Sequence, residues 1–249
     1  MSTTPRALVT GSTRGIGLAI AARFARDGYD VVAHGASAGS DFAQVREQTG
    51  ERLVGAHVAD LTDPKAVARL WHLACEGGPP HVLVNNAGVY LKTDFLRDEE
   101  AVFEATLRRS MDLNFYAPLR LARAAVRTWV ALGMRGTVIN VASRVGFRGE
   151  AGAALYSASK AALINVTRAL AVELAPQGVG VFGIAPGWVS TAMIRDEVVA
   201  REAEILESIP LGRMATPEDC AACVAFLARE EASYLSGQVI DINGASYFH

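Results

Sequence analysis

The sequence predicts an α/β fold, a single domain on a doubly wound, seven-stranded parallel sheet with helices on both faces. Three observations lead there. Short runs rich in Val, Ile and Ala alternate with longer amphipathic stretches along nearly all of the 249 residues. The short runs are apolar throughout, the pattern of strands covered on both faces. No glycine-proline linker and no break in composition divides the chain, so residues 1–249 are expected to form one domain joined by right-handed crossovers.

The elements follow in order. Residues 6–10 read as the first strand, 15–27 as the helix after it and 29–33 as the second strand. A helical stretch around 41–48 leads to a strand at 53–58. The next helix, 64–75, has proline at its first position and Thr62 or Asp63 as its N-cap. Residues 81–85 form the fourth strand and 136–142 the fifth, and the span from about 99 to 132 holds two helices or one long bent one. A long helix at 153–174 stops at Ala175-Pro176-Gln177-Gly178. Strands at 179–185 and 238–242 complete the sheet, with a capped helix from Pro217 to Leu227 between them.

Composition removes several classes of function. At 51% hydrophobic and 20% charged the chain has the makings of a large core. A net charge of −2 leaves no basic footprint for nucleic acid. No apolar run reaches the roughly 20 residues of a membrane span, and the run after Arg6 is too short for a signal-peptide core. A soluble, cytoplasmic protein is expected. Cys75, Cys220 and Cys223 make no disulfide framework, and the Cys220-Ala-Ala-Cys223 spacing reads as small residues packed inside a helix. The five histidines are scattered without ligand spacing, so no metal is expected.

Chemistry concentrates at two places. After the first strand comes Thr10-Gly11-Ser12-Thr13-Arg14-Gly15-Ile16-Gly17, opening a helix. Glycines let backbone turn tightly and approach a pyrophosphate, for which a helix N-terminus supplies free N–H donors. This is the setting of a Rossmann-type nucleotide site. At the end of the second strand, Val31-Val32-Ala33-His34-Gly35-Ala36-Ser37 offers no carboxylate before Asp41 to take a ribose hydroxyl. Arg14, with Ser37 or His34, suits a 2′-phosphate, so NADP(H) is expected over NAD(H).

The second place is Tyr156-Ser157-Ala158-Ser159-Lys160, with Ser143 at a strand end upstream. Positions i and i+4 of a helix share a face. A phenol of ordinary pKa about 10 is too weak an acid for neutral pH, and a fixed cation nearby favours its ionised form. Such a pair builds a general acid/base for an alcohol or carbonyl oxygen, though the same spacing also occurs in ordinary helices.

Together these motifs resemble the short-chain dehydrogenase/reductase family over essentially the whole chain, in order. Asp60 with Leu61 is similar to the residues that hold the adenine, and Asn85-Asn86-Ala87-Gly88 to the motif lying against the cofactor. Asn114 in Met111-Asp112-Leu113-Asn114 matches the family's helix asparagine, and Pro186-Gly187-Trp188-Val189-Ser190-Thr191 the segment touching the nicotinamide. The resemblance implies a catalytic set of Asn114, Ser143, Tyr156 and Lys160. Tyr156 moves the proton, Ser143 orients the substrate oxygen, and Lys160 lowers the phenol's pKa and grips the ribose. Asn114 relays protons through its backbone carbonyl and a water.

The substrate end is less determined. Tyr90, Phe147, Trp188 and Met193 either line an apolar pocket or pack under a helical lid, expected to be mobile, at about 188–215. Arg144 and Arg148, just past Ser143, either hold a substrate carboxylate or phosphate or are loop charges or subunit contacts. Within the family the chain resembles the 3-oxoacyl-carrier-protein reductase type in its glycine loop and in Gly212-Arg213-Met214-Ala215-Thr216-Pro217-Glu218-Asp219. Gln177 stands where those reductases tend to be basic, while Arg135 keeps the other basic position. The expectation is a general carbonyl reductase or alcohol dehydrogenase for a small molecule. Carrier-protein reduction and NAD-dependent sugar or polyol oxidation are its alternatives. The resemblance also implies a homotetramer, with the 153–174 helix and the last strand in its contacts; the terminal Tyr247-Phe248-His249 either packs across such an interface or frays.

Overall fold

The computed structural model describes residues 4–249, and the side chains of all of these except 194–198. Seven strands, β1 (Arg6–Val9), β2 (Asp30–Gly35), β3 (Leu53–Val58), β4 (Val82–Asn85), β5 (Gly136–Val141), β6 (Val179–Pro186) and β7 (Val239–Ile242), form one sheet. Their order is β3-β2-β1-β4-β5-β6-β7, and every neighbouring pair is parallel. The expected doubly wound sheet is the observed one. Between the strands run α1 (Gly15–Arg26), α2 (Ala43–Thr49), α3 (Pro64–Ala74), α4 (Glu100–Met111), α5 (Ala117–Ala131), α6 (Ala154–Leu174), α7 (Arg195–Glu207) and α8 (Pro217–Leu227).

The unbroken apolar strands are explained by what each face meets. Ala7 and Val9 of β1 pack with Phe24 of α1 and Cys220 and Val224 of α8. Leu8, between them, joins the opposite core with Leu70 and Trp71 of α3 and Trp129 of α5. Trp129 donates its indole N–H to the Pro80 carbonyl at 2.7 Å. Its ring lies so close to the start of β5 that a Cβ on Gly136 would stand 2.2 Å away. The Cys220 thiol, fully buried in the first of these cores, is pushed up to about 12 by burial, which suits packing and not nucleophilic work.

Two local structures matter for the site. Asp63, not Thr62, caps α3, accepting from the Lys65 N–H at 2.8 Å. The 99–132 span resolves as α4 and α5 joined without a loop through a π-helical stretch, Asp112–Tyr116, that carries Asn114. Pro118 has no N–H to give to the carbonyl four residues before it, at Asn114, so the regular ladder fails there.

Candidate active site

A cleft of ≈ 770 Å³ opens beyond the carboxyl ends of the strands, running from β2 across β1 and β4 to β6. The order of strands reverses between β1 and β4, which is where an open α/β sheet leaves its crevice. Of the motifs expected against the cofactor, the glycine loop from Gly11 to Gly17, Ser37, Asp60, Leu61, Asn86, Ala87, Gly88, Pro186, Gly187, Val189 and Thr191 line this cleft, whereas Ser12, Asn85, Trp188 and Ser190 do not. Ser12 is fully buried and turned towards β2, with its hydroxyl accepting the His34 N–H at 3.0 Å.

The glycine loop is built from constraints on backbone. Gly11 (φ +63°) and Gly15 (φ +56°) occupy the left-handed region, which disfavours a side chain. Gly17 sits on the loop itself, where a Cβ would be 2.2 Å from the Gly11 carbonyl oxygen. Thr10 and Asn86 hold this turn. The Thr10 hydroxyl accepts the N–H groups of Asn86 and Ala87 at 2.9 and 3.0 Å, and the Asn86 amide donates to the carbonyls of Thr10 and Gly11 at 2.8 and 3.1 Å. Behind them the Asn85 amide donates to Asn140 at 2.9 Å, and Asn140 to Thr167 at 2.9 Å, joining β4 to β5 and α6. The result is a close-backed cradle at the N-terminus of α1 with no acidic residue in the first turn, a donor set that fits a dinucleotide pyrophosphate.

His34 is not the phosphate donor that the sequence suggested. Its ring is 1% exposed, with Nδ1 accepting the Gly11 N–H at 3.0 Å and Nε2 set 2.9 Å from the Ala59 carbonyl. Those partners fix the neutral tautomer with its hydrogen on Nε2, and burial lowers the ring's pKa further. The side chain is therefore a strut between the glycine loop and the end of β3. Arg14 is exposed at the rim, and Ser37 lines the same end. Asp41 lines it too, although its carboxylate caps the next turn by accepting the Ala43 N–H at 2.8 Å. Asp60 holds itself in place by accepting the N–H and hydroxyl of Thr62 at 3.0 and 2.8 Å, and these bonds lower its pKa. Arg109 of α4, which no sequence signal marked, faces the cleft and adds to that lowering.

At the other end Ser143, Tyr156 and Lys160 come together on the cleft wall. The Ser143 turn is clamped to α6 at Gly146, where a Cβ would lie 2.9 Å from the Lys160 carbonyl carbon. Lys160, 4% exposed, donates from Nζ to the Val141 carbonyl at 2.7 Å and stands 5.8 Å from the Tyr156 ring centroid. The expected acidification of the phenol by this cation is not what the protein alone produces. Burial pushes Tyr156 up to about 12, the hydrogen bond with Ser143 pulls it down, and the nearby Tyr90 and Glu150 push it up. Burial also pushes Lys160 down to about 8. The ammonium is spent on a backbone carbonyl and faces the ring, so desolvation outweighs it at the phenol oxygen.

Asn114 does not reach the cleft. Its amide closes on Val89, accepting the N–H at 2.8 Å and donating to the carbonyl at 2.9 Å, and donates to Ser159 of α6 at 3.1 Å. It thereby holds the chain after Gly88 against the helix that carries Tyr156. Tyr90 stacks edge-on against Tyr156, ring centroids 5.0 Å apart. Arg148 points elsewhere: it is exposed and lies over the Tyr247 ring at 5.8 Å, while His249 stacks on Phe147 at 3.6 Å. Trp188 stands beyond the cleft wall under Arg144, whose guanidinium is 5.1 Å from the ring centroid. Met193 lines the cleft beside α7, and the expected lid residues 194–198 have side chains outside the described set.

Known proteins share this arrangement. A family model described as enoyl-(acyl carrier protein) reductase matches residues 11–245. The 3-oxoacyl-[acyl-carrier-protein] reductase FabG of Aquifex aeolicus is 36% identical, covering 96% of each chain. The acetoacetyl-CoA reductase of Allochromatium vinosum is 37% identical, covering 98% of each. A Beutenbergia cavernae protein assigned as an NAD(P) dependent gluconate 5-dehydrogenase, crystallised with NADP at low occupancy, superposes with a TM-score of 0.88 at 36% identity, covering 97% of this chain and 96% of that one.

Proposed function

The chain belongs to the short-chain dehydrogenase/reductase family, and from that premise we propose how its residues carry out the reaction. The protein is an oxidoreductase that interconverts a ketone or aldehyde and an alcohol. When bound, the nicotinamide cofactor supplies or accepts the hydride. Tyr156 gives its proton to the carbonyl oxygen during reduction and recovers it from the alcohol during oxidation. A phenol that holds its proton at neutral pH is the form that reduction uses. Ser143 hydrogen-bonds the same oxygen and steadies the phenol. Lys160, below its titration point at neutral pH, keeps a positive charge with which it would hold the nicotinamide ribose. Asn114 acts as a positioning residue, and its carbonyl, to which Pro118 offers no N–H, is the relay point for solvent protons. The observation that carries this reading is the meeting of Ser143, Tyr156 and Lys160 at one end of a cleft that begins in the glycine cradle.

We infer NADP(H) in preference to NAD(H). The reading is supported by Arg14 at the rim and by the absence of a carboxylate at the end of β2, and it is opposed by Asp41 close by. Residues of about 1–140 supply the cofactor half of one domain and 188–215 its lid. A homotetramer, supported by the exposed Val172 on α6, and a cytoplasmic location complete the proposal. Two substrate chemistries fit the relatives, a 3-oxoacyl thioester and a hydroxy acid of the gluconate kind. A panel of ketones tested with each nicotinamide is the direct experiment. It should give NADPH-linked reduction at least about 10-fold more efficient than NADH-linked, and Arg14→Ala should narrow that ratio. Equal efficiency would overturn the cofactor preference. Reduction of no ketone with either cofactor would overturn the activity.

A further inference from the structure

Arg144 follows Ser143 directly and is 6% exposed. The one hydrogen-bonded contact of its side chain among the described residues runs from Nη2 to a Glu150 carboxylate oxygen at 3.5 Å, the outer limit of a hydrogen bond. One guanidinium face rests on the Trp188 ring. A guanidinium carries five N–H donors in a planar fork and stays charged at any ordinary pH. Most of them have no protein partner among the described residues, so the fork is free to take a further acceptor.

The place of this arginine points to which acceptor. Ser143, one residue before it, lines the cleft with Tyr156, and Glu150 is near enough to Tyr156 to raise its pKa. The Arg144 Cδ also lies 3.6 Å from where a Gly187 Cβ would be, and Gly187 lines the cleft. The arginine side chain, one residue after Ser143, therefore runs against Gly187 of the cleft wall. The other charged groups that act on it are Glu150, drawing it, and Arg148, repelling it. Neither fills the fork.

We propose that Arg144 is a specificity residue that receives a carboxylate carried by the substrate close to its reacting carbonyl, with Glu150 as a weak internal stand-in. The inference rests on the oxidoreductase reading above and chooses, between its two substrate chemistries, the keto acid and hydroxy acid pair. A planar carboxylate can take two parallel N–H bonds from an arginine at 2.7–2.9 Å, far better than one contact at 3.5 Å. A thioester substrate carries its charge many bonds from the keto carbon and would leave the fork as it stands.

The test compares four- to six-carbon keto acids with their methyl esters, as NADPH-dependent reduction by the whole protein. The wild type should favour at least one acid over its ester by about 10-fold or more in kcat/KM. Arg144→Met should collapse that acid-to-ester ratio by about 30-fold, the scale of one charge-assisted pair. Glu150→Gln frees the fork and should raise the ratio severalfold through KM, an effect that loss of packing does not produce. Should Arg144→Met fail to fold, Arg144→Lys keeps the charge, loses the fork and should still lower the ratio. Esters preferred throughout, or ratios unmoved in these variants, would overturn the inference and leave the oxidoreductase reading standing. Reduction of neither acid nor ester would overturn both.

Discussion

Replacing His34 with leucine exposes how the nucleotide end is held together. The imidazole bridges the Gly11 N–H and the Ala59 carbonyl in a spot that is 1% exposed, so leucine fills the space and leaves both groups unpaired. Each unmatched buried group costs about 1–3 kcal/mol, giving about 2–6 kcal/mol in all. At this chain length each kcal/mol moves Tm by about 2–4 °C, so a fall of at least about 4 °C is expected. NADPH affinity should fall with it, because Gly11 loses its anchor to β2. The pH dependence carries a sign. Burial lowers the folded pKa of His34 below its reference of 6.5, so the unfolded chain takes up the proton first as pH drops. The stability that wild-type His34 contributes is therefore complete above pH 6.5 and declines as pH falls from there towards the lowered folded value. His81 is shifted the same way in both proteins and cancels in the difference. Denaturant unfolding of wild type and variant from pH 8 to 5 checks this. A stability gap below about 1 kcal/mol at pH 7.5, or one that stays constant down to pH 5, would refute the strut.

Gly17→Ala places a Cβ 2.2 Å from a backbone oxygen and should open the loop, costing about 1–3 kcal/mol of NADPH binding in a fluorescence titration. Gly149→Ala, with nothing within 4 Å of the new Cβ, should bind NADPH as the wild type does. On α8, Thr216 and Asp219 cap each other's backbone, and Thr216→Ala should lower unfolding free energy by about 1 kcal/mol with activity retained.

The sheet could be read from the sequence because strands buried on both faces must be apolar, and Leu8, Val32 and Leu83 satisfy one core while Ala7, Val31 and Val82 satisfy the other. The glycine loop was legible for a similar reason, since the left-handed backbone at Gly11 and Gly15 favours glycine. Side-chain direction at the strand ends was not. His34 looked like a phosphate donor until the strand's parity turned it inward to Gly11, and Ser12 was likewise turned towards β2. Sequence spacing brought Tyr156 and Lys160 onto one face but said nothing of the Val141 carbonyl that takes the ammonium. Among the arginines past Ser143, the short helical turn at Arg144–Gly146 decides which enters the protein and which meets Tyr247, and no residue pattern announces that turn. Arg109 reaches the cleft from α4 by helix placement alone.

Proton delivery by Tyr156 is tested most directly by Tyr156→Phe, with ketone reduction and NADPH affinity measured on the same preparation. Removing one hydroxyl while keeping the ring should cut kcat by about 10²–10⁴-fold and leave the NADPH dissociation constant within about threefold. A variant that still reduces ketones at near wild-type kcat would show that another group supplies the proton.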